Sequence, residues 1–341
     1  MWRRILRVSA LVLLLLLICG AVYNAHAIHF LTHHDPPPGV FVHVNGSAMH
    51  LYCAGSGSPT VIFEGGLGRD WISWQRVQPE TAKTTRACSY DRAGMGFSDP
   101  QSGPRDAKHI AEQLRALLQA AQERPPYILV AASAGGFYAR QFAADFPTEV
   151  VGIVFVDSSV PAQIRELRGG AYTEDAYRKV RHDAWKAWTS EITGWSRLRG
   201  ECNGDLEEGF EPFRGFARAE ACRPSAELAS AREWHDFWIS ADEAAAASCC
   251  HDVPLIVISQ DPDRPKPGWT ADAIANQPIW VRLQESLKSL SPHSRRIVAR
   301  KSPHHVASAR PDVVISAIEE VLAIVRTKAY PRQPWGSTVV E

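Results

Sequence analysis

The sequence predicts an α/β protein whose mostly parallel, doubly wound sheet carries an inserted helical region. Apolar runs typical of strands alternate with segments of helical period along most of the chain. Between residues 161 and 250 the strand-like runs vanish, and charged helical segments replace them. One strand-like run, Tyr127 to Ala132, breaks abruptly at Ser133, and a helix-like segment follows at once. In such sheets the functional side chains lie on loops beyond the carboxyl ends of the strands.

Length and composition limit the classes of function. The chain has 341 residues, enough for one large domain with an insertion or for two domains. Hydrophobic residues make up 45% of it, which predicts a sizeable core. Lys+Arg and Asp+Glu both number 37. No surplus of basic residues indicates a nucleic-acid partner.

Residues 1–27 are expected to be a signal peptide or a membrane anchor. Arg3, Arg4 and Arg7 precede an uncharged apolar run from Val8 to Val22, which has the length of a signal peptide. A small-x-small cleavage site is present at Ala25-His26-Ala27. No charged side chain occurs between Arg7 and Asp35, so a longer, uncleaved anchor remains an alternative. In both cases the body is expected outside the cytoplasm, with membrane contact through this segment.

The body is expected to begin after a stiff linker at 28–38 that ends in three prolines. A hairpin is predicted around Asn45-Gly46. The α/β core then covers 39–160 and 251–330, a helical cap covers 161–250, and a C-terminal tail covers 331–341. Further strands are expected at Pro59 to Phe63, Thr85 to Tyr90, Val150 to Val156, Val253 to Ile258 and Arg296 to Ala299.

The predicted cap is rich in tryptophan. It carries five of the 11 tryptophans, namely Trp185, Trp188, Trp195, Trp234 and Trp238. Any single one is more often a packing residue between cap helices. Together they predict an aromatic lid and an apolar or aromatic small-molecule substrate.

The break at Ser133 has the pattern of a nucleophile elbow. The segment reads Ala131-Ala132-Ser133-Ala134-Gly135, where the usual signature is Gly-x-Ser-x-Gly. Small neighbours let the chain turn sharply, with the serine at a strained backbone position. Taken alone, the segment also fits an ordinary turn with a helix-capping serine.

Two further motifs make the chain resemble the α/β-hydrolase family of lipases, esterases and peptidases, and its exported, N-terminally anchored bacterial members. Glu64-Gly65-Gly66-Leu67-Gly68 resembles the family's His-Gly-Gly-Pro-Gly oxyanion loop, with glutamate in place of histidine. The segment Tyr90 to Ser98 resembles its Tyr-Asp-Arg-x-Gly-x-Gly-x-Ser turn. The resemblance covers about 39–326 apart from the cap, and implies an eight-stranded sheet with an inserted cap.

The resemblance implies a catalytic triad. Its base is His304, because Ser302-Pro303-His304-His305-Val306 resembles the family's histidine stretch and a proline follows seven residues later. Its acid is expected at Asp263, in the loop after the strand that follows the cap. Asp261 is the near alternative. Asp157, at the end of the preceding strand, is a third candidate, since some relatives carry the acid there.

These residues predict acyl transfer. Ser133 is the expected nucleophile, His304 takes and returns its proton, and the acid orients the imidazole. The backbone amides of Gly66 and Ala134 are the expected oxyanion donors, each contributing about 3 kcal/mol. The predicted function is cleavage of a carboxylic ester, or of an amide, by a serine hydrolase without cofactor or metal.

Two alternatives remain open from the sequence. An aminopeptidase of the proline iminopeptidase type would need a cap carboxylate for the substrate amine, such as Glu201, Glu207 or Glu208. A catalytically inactive binding module with the same fold is the other alternative. The sequence does not indicate an oligomeric state.

Export would permit disulfides. In the family's fold the second and fourth strands are neighbours, and Cys53 and Cys88 fall on those strands, so a disulfide between them is expected. The connectivity of Cys202, Cys222, Cys249 and Cys250 is not deducible from sequence. The cysteine spacing fits no zinc pattern.

Overall fold

The computed structural model describes residues 1–168, 173–203, 209–263, 270–330 and 336–341. Its strands are β1 (Val40–Val44), β2 (Ser47–Ala54), β3 (Thr60–Glu64), β4 (Ala87–Tyr90), β5 (Tyr127–Ala132), β6 (Val150–Val156), β7 (Leu255–Ser259), β8 (Ser294–Ala299) and β9 (Thr338–Val340). Its α-helices are α1 (Trp2–His34), α2 (Gln78–Thr81), α3 (Ala107–Ala120), α4 (Gly135–Asp145), α5 (Gln163–Glu166), α6 (Glu174–Ile192), α7 (Trp195–Leu198), α8 (Arg214–Glu220), α9 (Pro224–His235), α10 (Phe237–Ala246), α11 (Ala271–Ser286), α12 (Val306–Ala309) and α13 (Pro311–Thr327). Short 3₁₀ helices lie at Trp71–Trp74, Glu201–Asn203, Glu211–Phe213 and Leu287–Leu290.

All nine strands of the described residues form one sheet in the order β1-β2-β4-β3-β5-β6-β7-β8-β9. The pairs β1–β2 and β2–β4 are antiparallel, and every pair from β4–β3 to β8–β9 is parallel. This confirms the predicted mostly parallel α/β sheet. The central strands are buried on both faces. In β5, for example, Ile128 and Val130 pack into one core cluster, whereas Leu129 and Ala131 pack into the other.

The expected count of eight strands is wrong by one, because the tail supplies β9. Thr338, Val339 and Val340 pair in parallel with the end of β8. Such β-branched residues suit a strand, and their pairing covers the edge that β8 would otherwise leave open.

The expected linker at 28–38 is largely helical. The first helix, α1, continues to His34 and ends at Asp35. Neither glycine nor proline interrupts the chain between Gly20 and Pro36. Asp35 precedes a proline, which disfavours helical geometry at that residue. Within the described residues, α1 is the one helix with the length and hydropathy (2.7) to cross a membrane, a property that signal sequences share.

Between β6 and β7 the described residues form helices α5 to α10 and no strand. These helices pack on one another and on the sheet domain. Helix α6 packs against α9, while α10 packs against α3 and α4. Helix α4 begins two residues after Ser133 and contacts α10, so the insertion packs beside the element that follows the serine.

Candidate active site

Ser133 occupies a sharp turn between β5 and α4. Its φ of 50° lies in the left-handed region, which is unfavourable for a residue with a side chain. Hydrogen bonds hold this conformation. The Ser133 amide donates to the carbonyl of Val156 (3.3 Å), and its carbonyl accepts from the amides of Gly136 (3.0 Å) and Ser159 (2.7 Å). The turn therefore has the strained geometry expected of a nucleophile elbow.

His304 connects Ser133 to a buried carboxylate. It lies in the loop between β8 and α12, and its Nε2 is 3.0 Å from Ser133 Oγ. Its Nδ1 is 2.6 Å from Oδ2 of Asp157. The three side chains form an unbroken hydrogen-bonded chain, as a serine, base and acid do in acyl transfer.

Asp157 is fully buried directly after β6. Its second oxygen, Oδ1, accepts hydrogen bonds from the indole Nε1 of Trp280 (2.9 Å) and the amide of Gln260 (3.1 Å). These donors compensate for burial of the carboxylate and fix its orientation. Trp280 lies on α11. Its ring packs edge-on to the His304 imidazole, with the two ring centroids 6.1 Å apart. Sequence reasoning did not identify Trp280.

The structure does not place Asp263, the acid expected from the sequence, against His304. The Asp263 side chain is 74% exposed and pairs with Arg300 at 2.5 Å. Asp261 also binds Arg300, at 2.9 Å, and accepts the amide of Lys301 at 2.8 Å. The physical reason is the order of the strands. β6 is next to β5, whereas β7 is one strand further from Ser133.

The expected oxyanion donors flank the serine. A Cβ added to Gly66 would lie 3.1 Å from Cβ of Ser133, so the Gly66 backbone passes directly beside the nucleophile. Ala134 follows Ser133 and precedes α4. In the part of the chain that the structure describes, neither of these two amides donates to another protein group. Both are therefore available to an oxygen atom of a ligand.

Arg92 holds the loop that carries Gly66. Its guanidinium donates to the carbonyls of Gly66 (2.6 Å) and Gly65 (3.0 Å) and to Oε1 of Glu64 (2.8 Å). Glu64 also accepts the hydroxyl of Tyr90 at 2.5 Å. Burial raises the pKa of Glu64 to about 7, although Arg92 opposes this. Glu64 is thus a buried support of the loop.

Glu233, from α9 in the inserted region, completes this network. Its carboxylate binds Arg92 at 2.8 and 2.9 Å and Arg105 at 2.8 Å. It also accepts the amide of Gly68 at 3.3 Å. Burial raises the pKa of Glu233, but Arg92 and Arg105 outweigh it and hold the pKa below its ordinary value. The carboxylate is therefore ionised and attaches the insertion to the loop at Gly66.

Comparison with known proteins agrees with this geometry. A family model described as alpha/beta hydrolase fold matches residues 59–233, just over half of the chain. The chain belongs to the α/β-hydrolase fold family. It is a hydrolase.

Individual relatives of this hydrolase are distant. YbdG, an uncharacterized protein of Bacillus subtilis (strain 168), is 31% identical over 160 residues, covering 45% of this chain and 49% of YbdG. The chain thus matches about half the length of that relative. Two solved structures share the fold. A putative epoxide hydrolase from Pseudomonas aeruginosa has a TM-score of 0.62 and 17% identity, over 84% of this chain and 96% of that one. A thermophilic esterase from Thermogutta terrifontis has a TM-score of 0.59 and 20% identity, over 85% of this chain and 99% of the esterase chain.

A cavity of about 530 Å³ opens above Ser133 and His304 in the hydrolase. Its apolar wall includes Leu67, Ile72, Trp74, Met95, Phe210 and Ala217. None of the five tryptophans expected to form an aromatic lid is among the described residues that line it. Trp185 and Trp195 are instead 57% and 56% exposed, so the lid prediction is wrong.

Two carboxylates, Asp70 and Glu220, also line the cavity. Asp70 Oδ1 accepts the amide of Ile72 (2.9 Å), and Glu220 Oε1 accepts the indole Nε1 of Trp71 (2.8 Å). Burial raises the pKa of Asp70 to about 6, helped by the charge of Asp91. Burial and the charge of Asp70 raise the pKa of Glu220 well above its ordinary value. Neither residue has a sequence motif that would have singled it out.

Proposed function

We propose that the hydrolase cleaves a carboxylic ester through an acyl-enzyme on Ser133. The observation that carries the proposal is the unbroken hydrogen-bonded chain from Ser133 through His304 to Asp157. The apolar cavity wall suits an apolar or aromatic ester of small-molecule size. The proposed chemistry needs no metal or cofactor.

In this mechanism His304 Nε2 removes the proton from Ser133 Oγ as the oxygen attacks the ester carbonyl. The oxyanion of the tetrahedral intermediate is stabilised by the amides of Gly66 and Ala134. His304 then protonates the leaving alcohol, and a water attacks the acyl-enzyme by the same route. Asp157 stabilises the imidazolium and keeps its Nδ1 proton in place.

A fluorophosphonate probe tests this proposal. We expect the wild-type chain to be labelled and to hydrolyse p-nitrophenyl esters, and Ser133→Ala to do neither. Ser73 also lines the cavity, so Ser73→Ala is a matched control that should retain labelling. A wild-type protein that resists the probe and cleaves no ester would contradict the proposal.

An aminopeptidase is the second candidate, and the position of Glu220 favours it. Glu220 belongs to the inserted region and lines the cavity with Asp70, as a carboxylate that binds a substrate ammonium would. Glu201, considered from the sequence, pairs instead with Arg199 at an exposed site. Glu207 and Glu208 lie outside the described residues.

Aminoacyl anilides distinguish the two candidates. Their hydrolysis by wild type and its loss in Glu220→Gln would favour the aminopeptidase.

We further propose that the catalytic body is exported. Cysteine sulfurs are paired between Cys53 and Cys88, between Cys202 and Cys222, and between Cys249 and Cys250. Disulfides persist in oxidising compartments and are rare in the cytosol. Protease treatment of intact spheroplasts tests this, since an exported body is digested and a cytoplasmic body is protected.

A further inference from the structure

Helix α1 has two parts that differ in their surroundings. The side chains of the first part face solvent, with Leu13 59% and Leu16 64% exposed. The second part packs against helices α6 and α8 of the inserted region. Asn24, on this second part, is only 3% exposed. At about Gly20 the helix therefore changes from an exposed apolar segment to a segment packed against the rest of the fold.

The buried Asn24 side chain uses both its donor and its acceptor. Its Nδ2 donates to the carbonyls of Glu191 (2.8 Å) and Cys222 (3.2 Å). Its Oδ1 accepts from Nε of Arg197 at 2.8 Å. These contacts join α1 to α6, α7 and the segment after α8. A buried amide of this kind is costly unless its partners are present, so it specifies the position of the helix.

Close backbone approach occurs one turn earlier, at Gly20. A Cβ at that residue would lie 2.0 Å from the carbonyl oxygen of Thr193 and 4.0 Å from the amide of Gly194. Only glycine allows this approach. Leu31, near the end of α1, packs into the cluster of Trp71 and Phe210. Phe210, a member of the same cluster, also lines the catalytic cavity.

The exposed part of α1 is too short to cross a bilayer alone. From Arg7 to Gly20 the helix rises only about 20 Å, whereas the hydrocarbon core is about 30 Å thick. The apolar surface continues beyond Gly20 on the side of α1 away from the cap, where Val22 is 61% and Tyr23 47% exposed. It also continues onto the inserted region beside the helix.

The apolar cap patch is defined here as Ile192, Trp195 and Leu198. These side chains are 42%, 56% and 63% exposed. They flank Thr193 and Gly194, the residues that contact α1 at Gly20. The patch therefore lies where the apolar part of α1 leaves the protein. Tryptophan is enriched at the boundary between lipid and water, and exposed leucine and isoleucine are favourable there.

We propose that α1 is a retained membrane anchor built into the cap, and that the apolar cap patch rests on a phospholipid bilayer. The patch and the second part of α1 supply the apolar length that the exposed part lacks. Cleavage after Ala27 would remove Gly20 and Asn24 and leave the buried groups around Arg197 without their partner. The arginines before Val8 lie at the opposite end of the span, which places the cap on the outer surface.

The first test is the mass of the intact chain in the membrane fraction. We expect a mass that includes Trp2 and the whole of α1. A mature chain beginning at Ile28 would overturn the proposal. This measurement is independent of ester cleavage, so a failure of the proposed catalytic function would not affect it.

The second test locates the patch relative to lipid. A nitroxide is attached to Leu198→Cys in a Cys19→Ser background, and the full chain is placed in phosphatidylcholine–phosphatidylglycerol nanodiscs. We expect higher accessibility to oxygen than to a water-soluble nickel complex. The control is Ile239→Cys on α10, whose native side chain is 47% exposed, and it should show the reverse. Equal, water-like behaviour at both sites would overturn the proposal. Dipolar coupling between two Leu198 labels would indicate a second copy of the chain there and would also overturn it.

A third variant tests the junction with the cap. Gly20→Leu forces α1 away from Thr193, so the label at Leu198 should lose its oxygen preference while the chain remains in the membrane. Val22→Leu adds volume on the exposed side of the same turn and should leave the label unchanged. An unaltered label in Gly20→Leu would overturn the claim that α1 is built into the cap.

Discussion

Asp157 combines complete burial with three hydrogen-bond donors, and this combination makes it suitable for orienting an imidazole. Oδ1 accepts from Trp280 and Gln260, which leaves Oδ2 for His304. A carboxylate with only one partner could rotate and carry the histidine with it. We therefore expect Trp280 to be a positioning residue that acts on the proposed reaction through Asp157.

Trp280→Phe tests this positioning role. The variant keeps the ring and removes the donor to Asp157, which is worth about 1.5 kcal/mol for a hydrogen bond to a charged group. We expect kcat for a p-nitrophenyl ester to fall about tenfold with KM little changed. Trp238→Phe, at a 40% exposed site, should retain wild-type kcat. A wild-type kcat in Trp280→Phe would remove Trp280 from the mechanism.

Asp70 provides a prediction on pH. Burial raises the pKa of its carboxyl from 3.8 to about 6, with Asp91 adding to this and Arg69 and Glu220 opposing it. In this range the folded protein keeps a proton that the unfolded chain has released, so folding stability decreases as pH rises. Asp70→Asn removes this loss. Between about pH 4 and pH 7, the free energy of unfolding of the variant should rise above that of wild type by about 1–3 kcal/mol.

Urea denaturation of the full chain in detergent, followed across that pH range, measures this gain. Asp252→Asn replaces an exposed carboxylate and should keep the wild-type dependence on pH. If the free energy of unfolding of Asp70→Asn changes with pH as steeply as that of wild type, the Asp70 carboxyl is not held protonated by its surroundings.

Individual site residues differ in how far sequence could predict them. Ser133 and His304 lie in local motifs whose neighbours are adjacent in the chain, and the structure brings both together. The acid has no comparable motif, and the choice among Asp157, Asp261 and Asp263 depends on which strand end lies nearest the serine. Trp280 and Glu220 reach the site only through long-range packing, which one sequence does not encode locally.

Among the elements, Arg92 and Glu233 link the loop at Gly66 to the inserted helices. Arg92 is 1% and Glu233 0% exposed, and each has at least two charged or carbonyl partners. Such a network is stable when every charge has its partner. Removal of one member leaves a buried charge unpaired and destabilises the fold. The loop at Gly66 therefore depends on a residue from α9, about 165 positions later in the chain.

Glu233→Leu tests this dependence. The buried Arg105 loses its carboxylate partner, and Arg92 keeps only Glu64, so the free energy of unfolding should fall by about 3–5 kcal/mol. The control is Glu80→Gln, which breaks the exposed pair with Lys83 and should cost less than about 1 kcal/mol. Denaturant titration of both variants gives the comparison. If both variants lose the same small amount of unfolding free energy, the network does not attach α9 to the loop.

The elements that sequence reasoning misjudged lie at the two ends of the chain. β9 is only three residues long and becomes a strand because β8 offers an unpaired edge. The helix α1 extends to His34, into the expected linker at 28–38, where Leu31 packs beside residues of α8. In both cases tertiary contacts decide the structure, whereas the interior strands were predictable from their apolar runs.

For the whole molecule, the cysteine pairs indicate where the body folds. Cys53 and Cys88 face each other on the antiparallel strands β2 and β4, with their sulfur atoms 2.04 Å apart, which is compatible with the predicted disulfide. Cys202 and Cys222 bracket a cap segment whose end contacts Asn24. Cys19 is the free cysteine. The pairs close loops in both the sheet domain and the cap.

Alkylation of the denatured, unreduced chain tests this pattern. We expect a single modified thiol, at Cys19, and seven modified thiols after reduction. Replacing both Cys53 and Cys88 by alanine should lower the free energy of unfolding by about 3–4 kcal/mol for a loop of this length. Free thiols at Cys53 and Cys88 in protein taken from its native compartment would contradict the proposed export.

We propose above that Ser133, His304 and Asp157 perform acyl transfer in this hydrolase as a triad. Its most direct test is kcat/KM for a p-nitrophenyl ester in Asp157→Asn beside Asp263→Asn, with both chains shown to be folded by near-UV circular dichroism. We expect kcat/KM to fall about 10³- to 10⁴-fold in Asp157→Asn and less than about twofold in Asp263→Asn. A large fall in Asp263→Asn together with near wild-type activity in Asp157→Asn would contradict it.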